Sequence, residues 1–128
     1  MSIKITDIAF TGTPVRDMKK ARAFYEGILG LVPAHVFEHE GTSWVEYNIG
    51  PAQSTLAITD GNLEWKPSAE GTAIAFEVEN FDEAIAHLKA NNITILGDAF
   101  DTPVCRIAII SDPDGNSVTI HKCKHAHQ

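Results

Sequence analysis

Three side chains in this sequence carry chemistry that a small-molecule site could use: Glu46, Glu77 and His121. Each sits in a run that alternates apolar and polar residues: Trp44-Val45-Glu46-Tyr47-Asn48, Ala75-Phe76-Glu77-Val78 and Thr119-Ile120-His121. Such alternation marks a strand, whose successive side chains take opposite faces. A carboxylate in a cleft can remove a proton next to a carbonyl. Two carboxylates and an imidazole could also hold a divalent ion if they converge on one point. The other reading is that all three are solvated strand residues near the mouth of a cavity, where a charge costs little.

The bulky apolar residues sort cleanly by the same rule. Val45, Tyr47, Ile49, Leu56, Ile58, Ile74, Phe76, Val78, Val118 and Ile120 share one phase and should meet helices. Small, polar or flat residues share the opposite phase: Phe10, Gly12, Trp44, Glu46, Asn48, Thr55, Ala57, Ala73, Ala75, Glu77, Thr119 and His121. Arg106 is a further candidate lining residue, although the run Ile107-Ala108-Ile109-Ile110 is apolar on both faces and leaves its phase open. Phe10 and Trp44 offer flat walls, the alanines leave room, and the charged groups are handles. Mostly apolar pockets with a few placed polar groups are typical of small-molecule sites. Trp44 and Trp65 suit stacking on a planar or cationic ligand; the other reading, a core or dimer-interface tryptophan, weighs the same for Trp44 and more for Trp65.

Composition narrows the partners. The chain has 128 residues, 44% of them hydrophobic, and a formal net charge of −7. That is enough apolar material for one domain with a proper core. The acidic balance argues against nucleic acid or an anionic membrane surface, and would tolerate a cationic small molecule. No apolar stretch approaches the roughly 20 residues of a membrane helix. The start, Met1-Ser2-Ile3-Lys4, lacks the layout of a signal peptide, and two cysteines are too few for a disulfide framework. These point to the cytoplasm. Cys105, in an apolar run, reads as a packed thiol. The segment His121-Lys122-Cys123-Lys124-His125-Ala126-His127 alternates possible metal ligands but, as a lysine-rich terminus, reads as frayed. Phosphate-cradling loops, nucleophile elbows and CxxC pairs are missing, so nothing favours nucleotide chemistry, serine hydrolysis or dithiol redox.

The elements that would position these residues occur twice. An extended run at residues 3–13 ends at Pro14; Asp17 can cap a helix over 18–28, and Gly30 stops it. Strands follow at 34–39, 43–49 and 54–59. After a looser stretch, strand character returns at 72–78, Asn80 and Glu83 open a helix over 81–90, and strands follow at 93–97, 104–111 and 116–121. Asp112-Pro113-Asp114-Gly115 suits a tight turn. The fold class is α+β: two tandem βαβββ modules, at residues 3–59 and 71–122, with a linker at 60–70 and a tail at 123–128. Duplication of this kind places a site between equivalent halves.

The phrases Pro14-Val15-Arg16-Asp17, Phe24-Tyr25-Glu26-Gly27-Ile28-Leu29-Gly30-Leu31, Ala75-Phe76-Glu77-Val78-Glu79-Asn80 and Asp112-Pro113-Asp114-Gly115-Asn116 resemble the vicinal oxygen chelate superfamily over essentially the whole chain. That superfamily includes glyoxalase I, extradiol dioxygenases, fosfomycin-modifying proteins and bleomycin-binding proteins. The resemblance implies paired modules with helices outside and a cup between. In its metal-dependent members, His, Gln or Glu ligands come from the first and last strands of each module. Here those positions hold Phe10, Ala57, Ala73 and Thr119, which supply no imidazole, carboxylate or thiolate. The expectation is a homodimeric, metal-independent binder of an aromatic or cationic small molecule, with no cofactor. The alternative is a glyoxalase-like lyase or isomerase that uses a relocated metal or a glutamate base, Glu46 or Glu77.

Overall fold

The computed structural model describes residues 3–61 and 64–124. Its strands are β1 (Thr11–Pro14), β2 (Pro33–His39), β3 (Thr42–Ile49), β4 (Ser54–Thr59), β5 (Ile74–Glu77), β6 (Leu96–Asp101), β7 (Cys105–Ser111) and β8 (Ser117–Cys123). They form two four-stranded sheets with the same internal order, β1-β4-β3-β2 and β5-β8-β7-β6. In each sheet the first strand runs parallel to the last and every other pair is antiparallel. The duplication visible in the sequence is therefore a duplication of topology.

Helix α1 (Met18–Arg22) begins where the Asp17 carboxylate accepts the Lys20 N–H at 3.0 Å. It continues without a break as a π-helical segment (Ala23–Ile28), in which Leu29 N–H reaches back to the Phe24 carbonyl at 2.9 Å. The wider turn brings two consecutive aromatic residues to the sheet. Phe24 and Tyr25 are both buried, edge to face with centroids 5.0 Å apart. Helix α2 (Phe81–Ala90) is capped by Asn80, whose side chain accepts the Glu83 N–H at 3.0 Å. It ends with Asn92 at φ 63° and two bonds, Asn92 N–H to the Lys89 carbonyl and Ile93 N–H to the Leu88 carbonyl. Both helices bury one stripe on one face of the sheets. The core holds Val45, Tyr47, Leu56, Ile58, Ala108, Ile110, Val118 and Ile120 together with Ala21, Phe24, Tyr25, Phe81 and Leu88.

Two element boundaries differ from the sequence expectation. The first strand was expected over residues 3–13 but starts at Thr11, which pairs with Leu56 near the start of β4. Residues 3–10 have no strand partner, and Ile3, Ile5 and Ile8 are more than three-quarters exposed despite an apolar pattern. The strand expected at 93–97 lies at Leu96–Asp101, because Ile93 is spent closing α2 and packs with Ile95 against the core.

The Asp112–Asn116 turn is the principal hydrogen-bonded joint between the halves. Asp112 is buried and accepts the Tyr25 hydroxyl at 2.9 Å. It also accepts the N–H groups of Asp114 and Asn116 and the Asn116 side-chain amide, each at 2.9 Å. Asn116 in turn donates to the Pro14 carbonyl at 2.8 Å and accepts the Ser68 N–H at 3.0 Å. Arg16 N–H donates to Asp114 at 3.0 Å. A second fastening holds the helix to the first sheet. Glu26 accepts from Arg22 at 2.6 Å and from the Tyr47 hydroxyl at 2.8 Å. Burial alone would raise the Glu26 carboxyl, but these donors outweigh it and hold it below the usual carboxylate range. Burial, with Glu26 as neighbour, pushes the Tyr47 hydroxyl well up, so it stays a donor.

Candidate functional site

Register fixes which residues share the face turned away from the helices. In the first sheet Gly12 pairs with Ala57, Ala57 with Glu46, Trp44 with Phe37, and Glu46 with His35. Phe10 lies on the same side and meets Trp44 edge to face, centroids 5.2 Å apart. The Trp44 indole N–H donates to the Glu46 carboxylate at 2.8 Å. His35 and Phe37 stack on each other with centroids 5.8 Å apart. Ala57 is fully buried yet lies outside the core cluster, so it is covered from the open side.

Trp65 explains part of that cover. A methyl group placed on Gly12 would lie 2.7 Å from the Trp65 ring. The indole therefore rests on bare backbone, which only glycine provides at that position. Trp65, Phe10 and Gly12 line a cleft of about 480 Å³ together with Ala73, Ser68 and Asn116. The cleft is bounded by β1, by the segment entering β5, and by the linker.

The second sheet carries the acid–base groups. Ala75 pairs with Thr119, Glu77 with His121, Ile109 with Thr119, and Ile107 with His121. His121 Nδ1 donates to Glu77 Oε1 at 2.5 Å, and Glu77 Oε2 accepts the Cys123 N–H at 2.8 Å. The carboxylate thus fixes the imidazole's orientation and leaves Nε2 as the outward nitrogen.

Of the nominated residues, Phe10, Trp44 and Glu46 are brought into one contact chain, with Ala57 beside them. Ala73 lines the cleft with Phe10. Glu77 and His121 form a pair, with Thr119 two residues along β8. Arg106 is elsewhere. It pairs with Lys122 in the ladder, one residue out of phase with His121, and so turns to the helix face. There its guanidinium lies 4.3 Å from the Phe81 ring centroid and 3.1 Å from Asp82. Sequence reasoning did not find the contact of Trp65 with Gly12 or, at the other edge of the sheet, the stacking of His35 on Phe37. A glycine inside the strand, Gly12, was the available signal for a close approach.

The donor set at the four inherited metal positions is a phenyl ring, two methyl groups and one hydroxyl, and these do not fit a divalent ion. Among the described residues, no three His, Cys, Asp or Glu side chains are grouped to hold one. His125 and His127 lie outside the described residues, whereas Cys123 is the last residue of β8, so the tail begins as strand. No helix among the described residues is long and apolar enough to cross a membrane.

The family model of the Glyoxalase/Bleomycin resistance protein/Dioxygenase superfamily matches residues 7–120. The chain belongs to that superfamily. Solved structures agree on the fold. TnmS3, an antibiotic binding protein from Streptomyces sp. CB03234, is 23% identical with a TM-score of 0.78, over 96% of this chain and 100% of that one. A glyoxalase/bleomycin resistance protein from the same Streptomyces strain is 25% identical with a TM-score of 0.69, over 87% and 96%. A glyoxalase family protein from Enterococcus faecalis is 20% identical with a TM-score of 0.70, over 90% and 96%. No curated protein sequence matches the chain.

Proposed function

We propose that this superfamily member binds a planar aromatic or cationic small molecule, without a metal, in the cleft between its modules. The observation that carries the reading is the aromatic set around that cleft: Trp65 lying on Gly12, next to the Phe10–Trp44 pair. Flat rings set at angles beside a cleft of about 480 Å³ suit stacking and enclosure of a drug-sized molecule. Glu46, held by Trp44, supplies negative charge near that wall. The antibiotic-binding structural neighbour supports the binding of a small molecule. We place the protein in the cytoplasm as a homodimer. Half-exposed Phe37, Phe100 and Leu96 on the open faces support a second copy as their cover.

The test is a panel of aromatic and cationic compounds followed by thermal shift and tryptophan fluorescence, since Trp65 lines the cleft and Trp44 packs on its lining residue Phe10. Binders that quench fluorescence in the parent and lose at least tenfold in affinity in Trp65→Ala support it. A panel with no binder at all, or binders indifferent to Trp65, would overturn it.

The His121–Glu77 pair favours a second reading, a lyase or isomerase in which the oriented imidazole or its carboxylate moves a proton. Loss of turnover in Glu77→Gln, with binding kept, would select this reading. Unchanged turnover would remove Glu77 from the mechanism.

A further inference from the structure

Cys105 opens β7 and Cys123 closes β8, and the ladder sets them directly opposite each other. The next rung outward is a hydrogen-bonded one, because Lys124 N–H donates to the Val104 carbonyl at 2.9 Å. The backbone groups of the two cysteines point away from each other. The Cys105 carbonyl accepts the Thr102 N–H at 2.9 Å, and the Cys105 N–H donates to Thr102 Oγ1 at 3.0 Å. The Cys123 N–H donates to Glu77 on the opposite side, at 2.8 Å. This is the non-hydrogen-bonded type of antiparallel pair. Such pairs hold their Cα atoms about 4.5 Å apart with both side chains on one face. That separation falls within the window of about 4.4–6.8 Å spanned by disulfides. Both cysteines are half-buried thiols, so a small oxidant can reach them.

We propose that Cys105 and Cys123 are a redox pair that closes to a cross-strand disulfide on reaction with a hydroperoxide. One thiolate attacks the peroxide, the O–O bond breaks, an alcohol or water leaves, and a sulfenic acid remains. The second sulfur then displaces hydroxide, which departs as water with that thiol's proton, and the S–S bond forms. Two electrons pass from the sulfurs to the peroxide. A dithiol reopens the bridge by exchange through a mixed disulfide. The bridge would close next to the candidate site, since His121 is two residues before Cys123 on β8 and Glu77 touches both.

The test exposes the reduced full-length protein to hydrogen peroxide. Intact mass, thiol titration and non-reducing electrophoresis are then read together. The expected result is a monomer lighter by two hydrogens, both thiols lost in step, and full recovery with dithiothreitol. Cys105→Ser and Cys123→Ser should each lose that signature and instead add oxygen or dimerise through the remaining thiol. The proposal is overturned if the parent gains oxygen atoms or forms only intermolecular disulfides. It is equally overturned if both parent thiols survive the peroxide dose that oxidises the single-cysteine variants.

Discussion

Removing the Asp112 carboxylate should be among the most damaging single changes in this protein, because the buried group serves both halves. Asp112→Ala deletes four accepted hydrogen bonds: two from backbone N–H groups of its own turn, one from Asn116 and one from Tyr25. Asn116 keeps its Pro14 partner, so its amide is not stranded. The Tyr25 hydroxyl is stranded in a fully buried residue, a cost of about 1–3 kcal/mol. The two turn N–H groups add about 0.5–1.5 kcal/mol each, so the expected loss is about 2–6 kcal/mol. Against a typical total of about 5–15 kcal/mol, that brings the fold near its limit. Tyr25→Phe removes one bond to a charged acceptor and should cost about 1.5–3 kcal/mol, since Asn116 still serves Asp112. In the double variant no hydroxyl is stranded, so its loss should fall short of the summed singles by about 1.5 kcal/mol. Urea unfolding with a common m-value measures all three. A loss below about 1 kcal/mol for Asp112→Ala, or strict additivity in the cycle, would refute the idea that this turn latches the modules.

The other predictions concern helix docking and the cleft. Glu26→Gln should cost about 1 kcal/mol at neutral pH, after allowing for the partial exposure of Arg22. Because the folded Glu26 carboxyl is depressed, its contribution is present above the unfolded value of about 4.3 and fades as pH falls through the folded value. The stability gap between parent and variant, followed by urea midpoints across pH, should therefore shrink in acid; a gap that widens would contradict the sign. Gly12→Ala places a methyl group against Trp65, and should displace the indole and shift its emission to the red in a Trp44→Phe background. The backbone at Gly12 tolerates alanine, so the stability loss should stay near 1 kcal/mol while ligand affinity falls about tenfold. Arg106→Ala should weaken the docking of α2 by about 1 kcal/mol through loss of its contacts with Phe81 and Asp82. It should leave ligand affinity unchanged, and a large affinity loss would return Arg106 to the site.

Much of this fold could be read locally. Asp17, Asn80 and Gly30 punctuate the helices through caps and a positive φ, and those are properties of a few adjacent residues. Alternation gave the phase of β3, β4, β5 and β8 because each has one apolar and one mixed face. It could not give the phase of β7, apolar on both faces, and Arg106 was left between the two. Only the ladder with β8 decides it. The same limit hid the thiol pair: Cys105 and Cys123 look unrelated in sequence and become neighbours through hairpin register alone. Asp112-Pro113-Asp114-Gly115-Asn116 shows the opposite error. Its turn chemistry is so complete locally that it conceals bonds to Tyr25, Pro14 and Ser68, which are set by tertiary packing.

The two open faces also argue against treating Glu46 and Glu77 as one catalytic set. Glu46 is bonded to the indole two residues before it on its own strand, which holds it against the aromatic wall. Glu77 is bonded across strands to His121 and to the Cys123 backbone. A carboxylate anchored by an indole donor is suited to hold a cationic group, since its charge stays on the wall. A carboxylate that fixes an imidazole is suited to move a proton, since it aims the ring's outward nitrogen to accept one and give it back. Binding and proton transfer are thus separable by mutation. Glu46→Gln should reduce affinity for cationic ligands more than for neutral ones, and His121→Asn should leave that preference intact. If both changes altered the charge preference equally, the two carboxylates would act on one ligand position, and the division of roles argued from their partners would fail.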